Sequence, residues 1–238
     1  MQRARIKRLA AALLLPAGLI GWAMLSRPAE PKRPVGLFTS LPILWAEGES
    51  LAQTLATERG AHPVANALAG IGPVQPLDTL EQLRPGLDQL VLAQPRPLSP
   101  VENVALDDWV RGGGHLLLFA DPLLTARSAF AVGDPRRPQD VALLSPILSR
   151  WGLELTFAED QPAGLRMVPA NGPAIPVNLR GAWRNAGGGC AVEADGLIAI
   201  CQIGRGRVVA VADAEVLADA DPEGLRRPAL NALLRRAF

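Results

Sequence analysis

The chain has 238 residues, 49% of them hydrophobic, enough for one large core. Pro 22 and Gly 23 favour many short elements and turns over long helices. The net charge of +1 hides an asymmetry. Residues 1–34 hold seven basic side chains and only Glu30, leaving 17 basic against 22 acidic, a net of −5, for 35–238. A mildly acidic folded part argues against a nucleic-acid partner, which needs a basic footprint on phosphate.

Residues 1–8 are basic and 9–25 are uncharged and apolar, with Pro16 inside. Seventeen residues is the lower limit for a bilayer-spanning helix. A cleaved secretory signal and an uncleaved anchor both fit. The anchor is favoured because the run exceeds a typical signal core and no small-x-small cleavage site or lipid-accepting Cys follows. Positive charge ahead of the run keeps that end cytoplasmic, so 35–238 is expected outside the cytoplasmic membrane. Residues 26–34, with three prolines, read as a stiff linker.

Residues 35–40 read as a first strand and 49–59 as a short helix, with a further helical turn at 62–68. Residues 74–77 contain Pro76 and suit only an edge strand. The organising stretch is 87–123. Strand 89–93 leads to Ser99-Pro100-Val101-Glu102, which has the form of a capping box with proline at the first helical position. Val101, Val104, Ala105 and Trp109 predict the apolar stripe of the helix. Gly112-Gly113-Gly114 stops it. Leu116 to Phe119 then form a run apolar on both faces, as in a central parallel strand. Parallel neighbours need a crossover, and this helix supplies one.

Beyond it, 141–151 reads as a helix, 153–157 as a strand, and 165–168 and 174–179 as short strands. Asp195-Gly196 predicts a two-residue hairpin between 191–194 and 197–200. Facing residues then sum to 391, which sets Cys190 opposite Cys201. Counting outward puts them at a hydrogen-bonded pair, about 5.5 Å between Cα atoms. In an exported domain such a pair oxidises. Residues 207–212 are a last apolar strand ending at Asp213. Residues 225–238 close as a helix with Leu230, Leu233 and Leu234 inward and Arg226, Arg227, Arg235 and Arg236 outward.

The chemistry-bearing residues are sparse. His62 and His115 have no metal-ligand spacing, the two cysteines make no zinc pattern, and the glycine triplet precedes a strand, so it presents no helix N-terminal amides to phosphate. No cofactor is expected. Ser40, Asp121 and Asp213 follow apolar strands, and the carboxyl ends of parallel strands border the ligand crevice. They are the ligand-binding candidates; capping the next turn is the competing role. Asn would largely reproduce that role for Asp121.

Three stretches carry a resemblance: VGLFTSLPILW, LVLAQPRPLSPVENVALDDWVRGGGHLLLFADPLL and GRGRVVAVADAEVL. Together they resemble the exported domain of the ABC-type uncharacterised transport system family, which includes the auxiliary component of gliding-motility ABC transporters. The resemblance implies a class I glutamine amidotransferase-like, flavodoxin-like three-layer α/β sandwich, with a mainly parallel sheet and a C-terminal antiparallel hairpin. It also implies permease and ATP-binding subunits as partners. Longer members have a second, C-terminal membrane segment, which 35–238 lacks. Active amidotransferase-like enzymes place a Cys on a sharp turn after a central strand. The matching turn here, Ala120-Asp121-Pro122, offers no thiol or hydroxyl, so a non-catalytic domain is expected. The alternative is a hydrolase working through Asp121 and Asp213.

Overall fold

The computed structural model describes residues 32–45, 47 and 62–238. The chain divides into two units, 1–32 and 33–238. The apolar run 9–25 and the expected helix 49–59 lie outside the described residues. Among the described residues no helix is long and apolar enough to cross a membrane.

A seven-stranded sheet forms the centre. Its strands are β1 (Val35–Thr39), β2 (Val74–Pro76), β3 (Gln89–Ala93), β4 (His115–Phe119), β9 (Cys190–Glu193), β10 (Ile198–Ile203) and β11 (Gly206–Val211), in spatial order β2-β1-β3-β4-β11-β10-β9. The first five in that order run parallel, and β10 and β9 close the edge antiparallel. Renumbered, the parallel part is the 2-1-3-4-5 order of a flavodoxin-like sheet. Leu116 to Phe119 and Val208 to Val211 are at most 1% exposed, because helices cover both faces of these strands. The expected mainly parallel α/β sheet with its C-terminal hairpin is what forms.

Helix α1 (Pro63–Ile71) packs with α4 (Arg226–Ala237), and α2 (Pro100–Arg111) packs with α3 (Ser145–Arg150). Right-handed crossovers in opposite directions from β1 and β3 put the two pairs on opposite faces. Between β4 and β11 the chain adds two small antiparallel sheets. One pairs β5 (Leu153–Phe157) with β8 (Gly181–Asn185); the other pairs β6 (Arg166–Ala170) with β7 (Gly172–Val177). Strand β8 has no counterpart in the sequence reading, because Trp183 is its single large apolar residue. That indole is buried and donates to Ala210 O at 3.0 Å.

Helix α2 forms where expected, with both halves of the Ser99–Glu102 capping box made. Gly113 takes the left-handed turn at φ 119°, and a side chain at Gly114 would strike the Trp109 ring. Its buried face, however, is not the aliphatic stripe. Val101 and Val104 are each 59% exposed, while Glu102, Leu106, Asp107 and Val110 are buried. The acids go inside because every charge is met. Glu102 accepts from Arg96, the Ser99 and Leu80 amides and the Thr79 hydroxyl. Asp107 accepts from Arg111, Arg150 and the Trp151 indole. A buried carboxylate is tolerable only when so paired. These bonds, led by Arg96, hold Glu102 down to about 2.

Other expectations are corrected too. The helix expected over 141–151 shrinks to Ser145–Arg150, since Pro146 has no amide to donate and restricts the residue before it. Arg226 turns inward, its side chain 12% exposed, to hold Glu215 and Asp221. The Cys190–Cys201 disulfide forms, and register 391 holds. Its Cα atoms are 4.1 Å apart, the close spacing of a non-hydrogen-bonded pair. Ala194, Asp195 and Gly196 are all left-handed (φ 52°, 53° and 82°) and the turn spans four residues, 194–197, so the register is kept while a count from a two-residue turn misplaces the phase by one pair.

Two outcomes check this account. Unfolded, non-reduced protein should show no free thiol, and replacing both cysteines by alanine should cost up to about 3 kcal/mol, less to the extent that backbone pairing already closes the loop. Glu102→Ala should cost at least about 2 kcal/mol in a urea titration, since it strands the Leu80 amide and frees Arg96.

Candidate functional site

Four strand ends meet at one edge of the sheet, and each is followed by a polar residue. Ser40 follows β1, Gln94 follows β3, Asp121 comes after β4 and Ala120, and Asp213 comes after β11 and Ala212. Gln94 is fully buried with φ 44°. Its amide group donates to Asp121 O (3.1 Å) and Gln139 O (2.8 Å), and its oxygen accepts from the Asp121 amide (2.8 Å). The Ser40 hydroxyl donates to Gln94 O and accepts from the Gln139 amide (3.0 Å). As donor and acceptor, the one hydroxyl of Ser40 thereby fastens the 139 loop to the sheet.

The structure brings Asp121 and Asp213 together at the ends of adjacent strands. Asp121 accepts from the amides of Leu123 (2.8 Å) and Ala214 (3.3 Å), one at each oxygen. Asp213 accepts from those of Glu215 (2.6 Å) and Asn178 (3.0 Å), again one at each. Asn offers a single acceptor, so the expectation that it would largely replace Asp121 does not hold: its amide would face a backbone N–H. Burial pushes Asp121 up to about 6, with the Glu215 charge adding. Burial and then the Asp121 charge push Asp213 up to about 8. Neighbouring carboxylates that cannot both ionise behave in this way.

A cavity of about 290 Å³ opens over this edge. Leu41, Leu124 and Leu217 give it apolar walls; Asp121, Glu47, His62, Arg127, Glu215 and Asp219 bring polar groups to it. Asp213 and Ser40 do not line it. Glu47 accepts from the Ser128 hydroxyl and the Ala129 amide, and Glu215 is engaged by Arg226. His62 caps α1, its Nδ1 accepting from the Val64 amide (3.2 Å), with Nε2 3.9 Å from Asp219 Oδ1. No local signal in the chain placed His62 at the cavity that Asp121 lines. His115 sits at the far end of β4, on Ala237 O. Among the described residues no group of His, Cys, Asp or Glu is arranged to hold a metal.

Sequence reasoning passed over Gln94. The left-handed turn after a central strand lies there, and not at Ala120-Asp121-Pro122 as the resemblance suggested. A polar residue between an apolar strand and Pro95 was the available signal. Glutamine supplies no nucleophile at that turn.

Residues 50–166 match the model of the ABC-type uncharacterized transport system family. That match includes His62, Gln94 and Asp121 and stops short of Asp213 and the disulfide. It supports an accessory role in transport. No curated protein matches the chain. Among solved structures, exo-β-1,4-mannosidase Op5Man5 from Opitutaceae bacterium strain TAV5 is similar at 13% identity and a TM-score of 0.51, over 87% of this chain and 36% of that one. Gan42B, a GH42 β-galactosidase from G. stearothermophilus, is similar at 15% identity and a TM-score of 0.50, over 88% and 30%. A ThuA-like protein from Bacteroides uniformis ATCC 8492 aligns at 12% identity and a TM-score of 0.46, over 90% and 93%. This chain thus spans about a third of each glycosidase, and likeness at these identities concerns the fold alone.

The raised pair has a pH signature. Between about pH 4, where free Asp titrates, and about pH 8, the folded protein keeps protons that the unfolded chain has released. Stability should therefore fall as pH rises through that window and level off above it. Glu102, held low, works oppositely: its contribution is present above about 4.5 and lost as pH falls toward 2. Denaturation midpoints measured against pH should show both limbs, and Asp213→Asn should flatten the upper one while lowering stability near pH 5 by about 1 kcal/mol through the lost amide bond.

Proposed function

We propose that the chain is a membrane-anchored, extracytoplasmic, non-catalytic accessory component of an ABC-type transport system, of the gliding-motility auxiliary type in its finer form. Residues 9–25 serve as the anchor in the cytoplasmic membrane. The folded domain binds a partner subunit or a small ligand through the cavity at the strand ends. The family match over 50–166 carries this reading. The cavity supports it: apolar walls with one deeply buried carboxyl at Asp121 suit recognition of a small polar group.

The hydrolase alternative requires Asp121 and Asp213 to face one substrate. Only Asp121 lines the cavity, and both oxygens of Asp213 accept from backbone amides. That arrangement favours a structural role for Asp213.

Full-length protein extracted in mild detergent from the membranes of its own cells should bring an ATP-binding subunit and a permease with it. An export-dependent reporter fused after Phe238 should be active in the membrane fraction. Isolation of the chain alone, together with ester, amide or glycoside turnover abolished by Asp121→Ala in a folded variant, would overturn the reading.

A further inference from the structure

The parallel strands run from a starting end toward the cavity, and the starting end is built from arginines. Arg33 precedes β1 and pairs with Asp88 at 3.1 Å. Arg111 ends α2 and shares the buried Asp107 with Arg150. Arg205, in the turn before β11, donates to Gly112 O at 2.8 Å. Arg207 opens β11 and donates to Arg236 O at 3.1 Å. Arg235 and Arg236 lie in the last turn of α4, and Arg236 pairs with Glu193. These contacts link the ends of α2, α4 and β11.

Placement at helix C-termini accounts for part of this, since cations there complement the helix dipole and cap the last carbonyls. The count goes further. Of the seven arginines, Arg33, Arg111, Arg150 and Arg236 pair with Asp88, Asp107 and Glu193. Among the described residues Arg205, Arg207 and Arg235 have no carboxylate partner. The cavity end carries Glu47, Asp121, Asp213, Glu215 and Asp219, with Arg127 and Arg226 beside them.

We propose that this arginine surface rests on the anionic phospholipid headgroups of the membrane that holds the chain. The inference depends on the anchor reading of 9–25. The chain enters the folded unit at Arg33, on this same end. Seven residues, 26–32, separate it from the apolar run, a span of at most about 25 Å. That tether lets the surface reach the bilayer, and guanidinium forks match phosphate oxygens in geometry and charge. Docked in this way, the cavity opens away from the membrane.

The test uses the full chain in lipid nanodiscs of phosphatidylcholine alone or with phosphatidylglycerol. Amide exchange across 204–208 and 233–238 should be severalfold slower with phosphatidylglycerol, and high salt should remove the difference. Arg235→Glu should shrink it, and this exposed side chain makes no hydrogen bond or ion pair within the described domain, so folding is spared. Retention in phosphatidylcholine discs reads the anchor separately. Should the chain leave those discs, the anchor reading fails, and flotation of the released chain with phosphatidylglycerol but not phosphatidylcholine vesicles at low salt still supports the arginine surface. Equal exchange in both discs, or no lipid-dependent flotation, overturns it.

Discussion

The Asp121 carboxylate is the interaction on which the cavity end depends. It binds the Leu123 amide across its own turn and the Ala214 amide 93 residues later. Between those two points the chain leaves the sheet, builds two small sheets and a hairpin, and returns as β11. Parallel strands must be joined through such excursions. Gln94 performs the corresponding task on the other side, tying the end of β3 to the Asp121 backbone and the 139 loop. Buried backbone groups at strand ends must find partners, and here side chains supply them.

That solution sets the electrostatics. Placing two acids on adjacent strand ends satisfies several amides but brings their charges together in a poorly solvated place, so both bind protons more tightly than free aspartates. In α2, Glu102 and Asp107 are also buried, yet arginines meet them and both are held below the usual carboxylate range. The same residue type is thus acidic or reluctant to ionise according to whether a guanidinium or only backbone dipoles surround it. Along the strand axis, arginines line the end where the strands start, while the cavity end mixes carboxylates with Arg127 and Arg226.

Likeness to glycosidase structures extends the fold and not the chemistry. In this chain the left-handed strand end carries Gln94, whose amide is wholly occupied by structural bonds.

Much of the fold was legible in the sequence because it rests on local signals. The capping box and the glycine stop fixed α2, the doubly apolar run fixed β4 as a central strand, Pro76 marked an edge, and the turn register placed Cys190 opposite Cys201. Strand-end position likewise set Asp121 and Asp213 at one edge of the sheet, though of the two only Asp121 lines the cavity. What the sequence could not supply depended on partners distant along the chain. The inward face of α2 was decided by Arg96 and Arg150, which make burial of Glu102 and Asp107 cheaper than periodicity implies. Gln94, His62 and the cavity appeared only when segments as distant along the chain as Leu41 and Asp219 were brought to one edge. Periodicity and caps are written within a few residues; the pairing of a buried charge, and the convergence of loops into a site, are properties of packed segments, and the tertiary structure alone decides them.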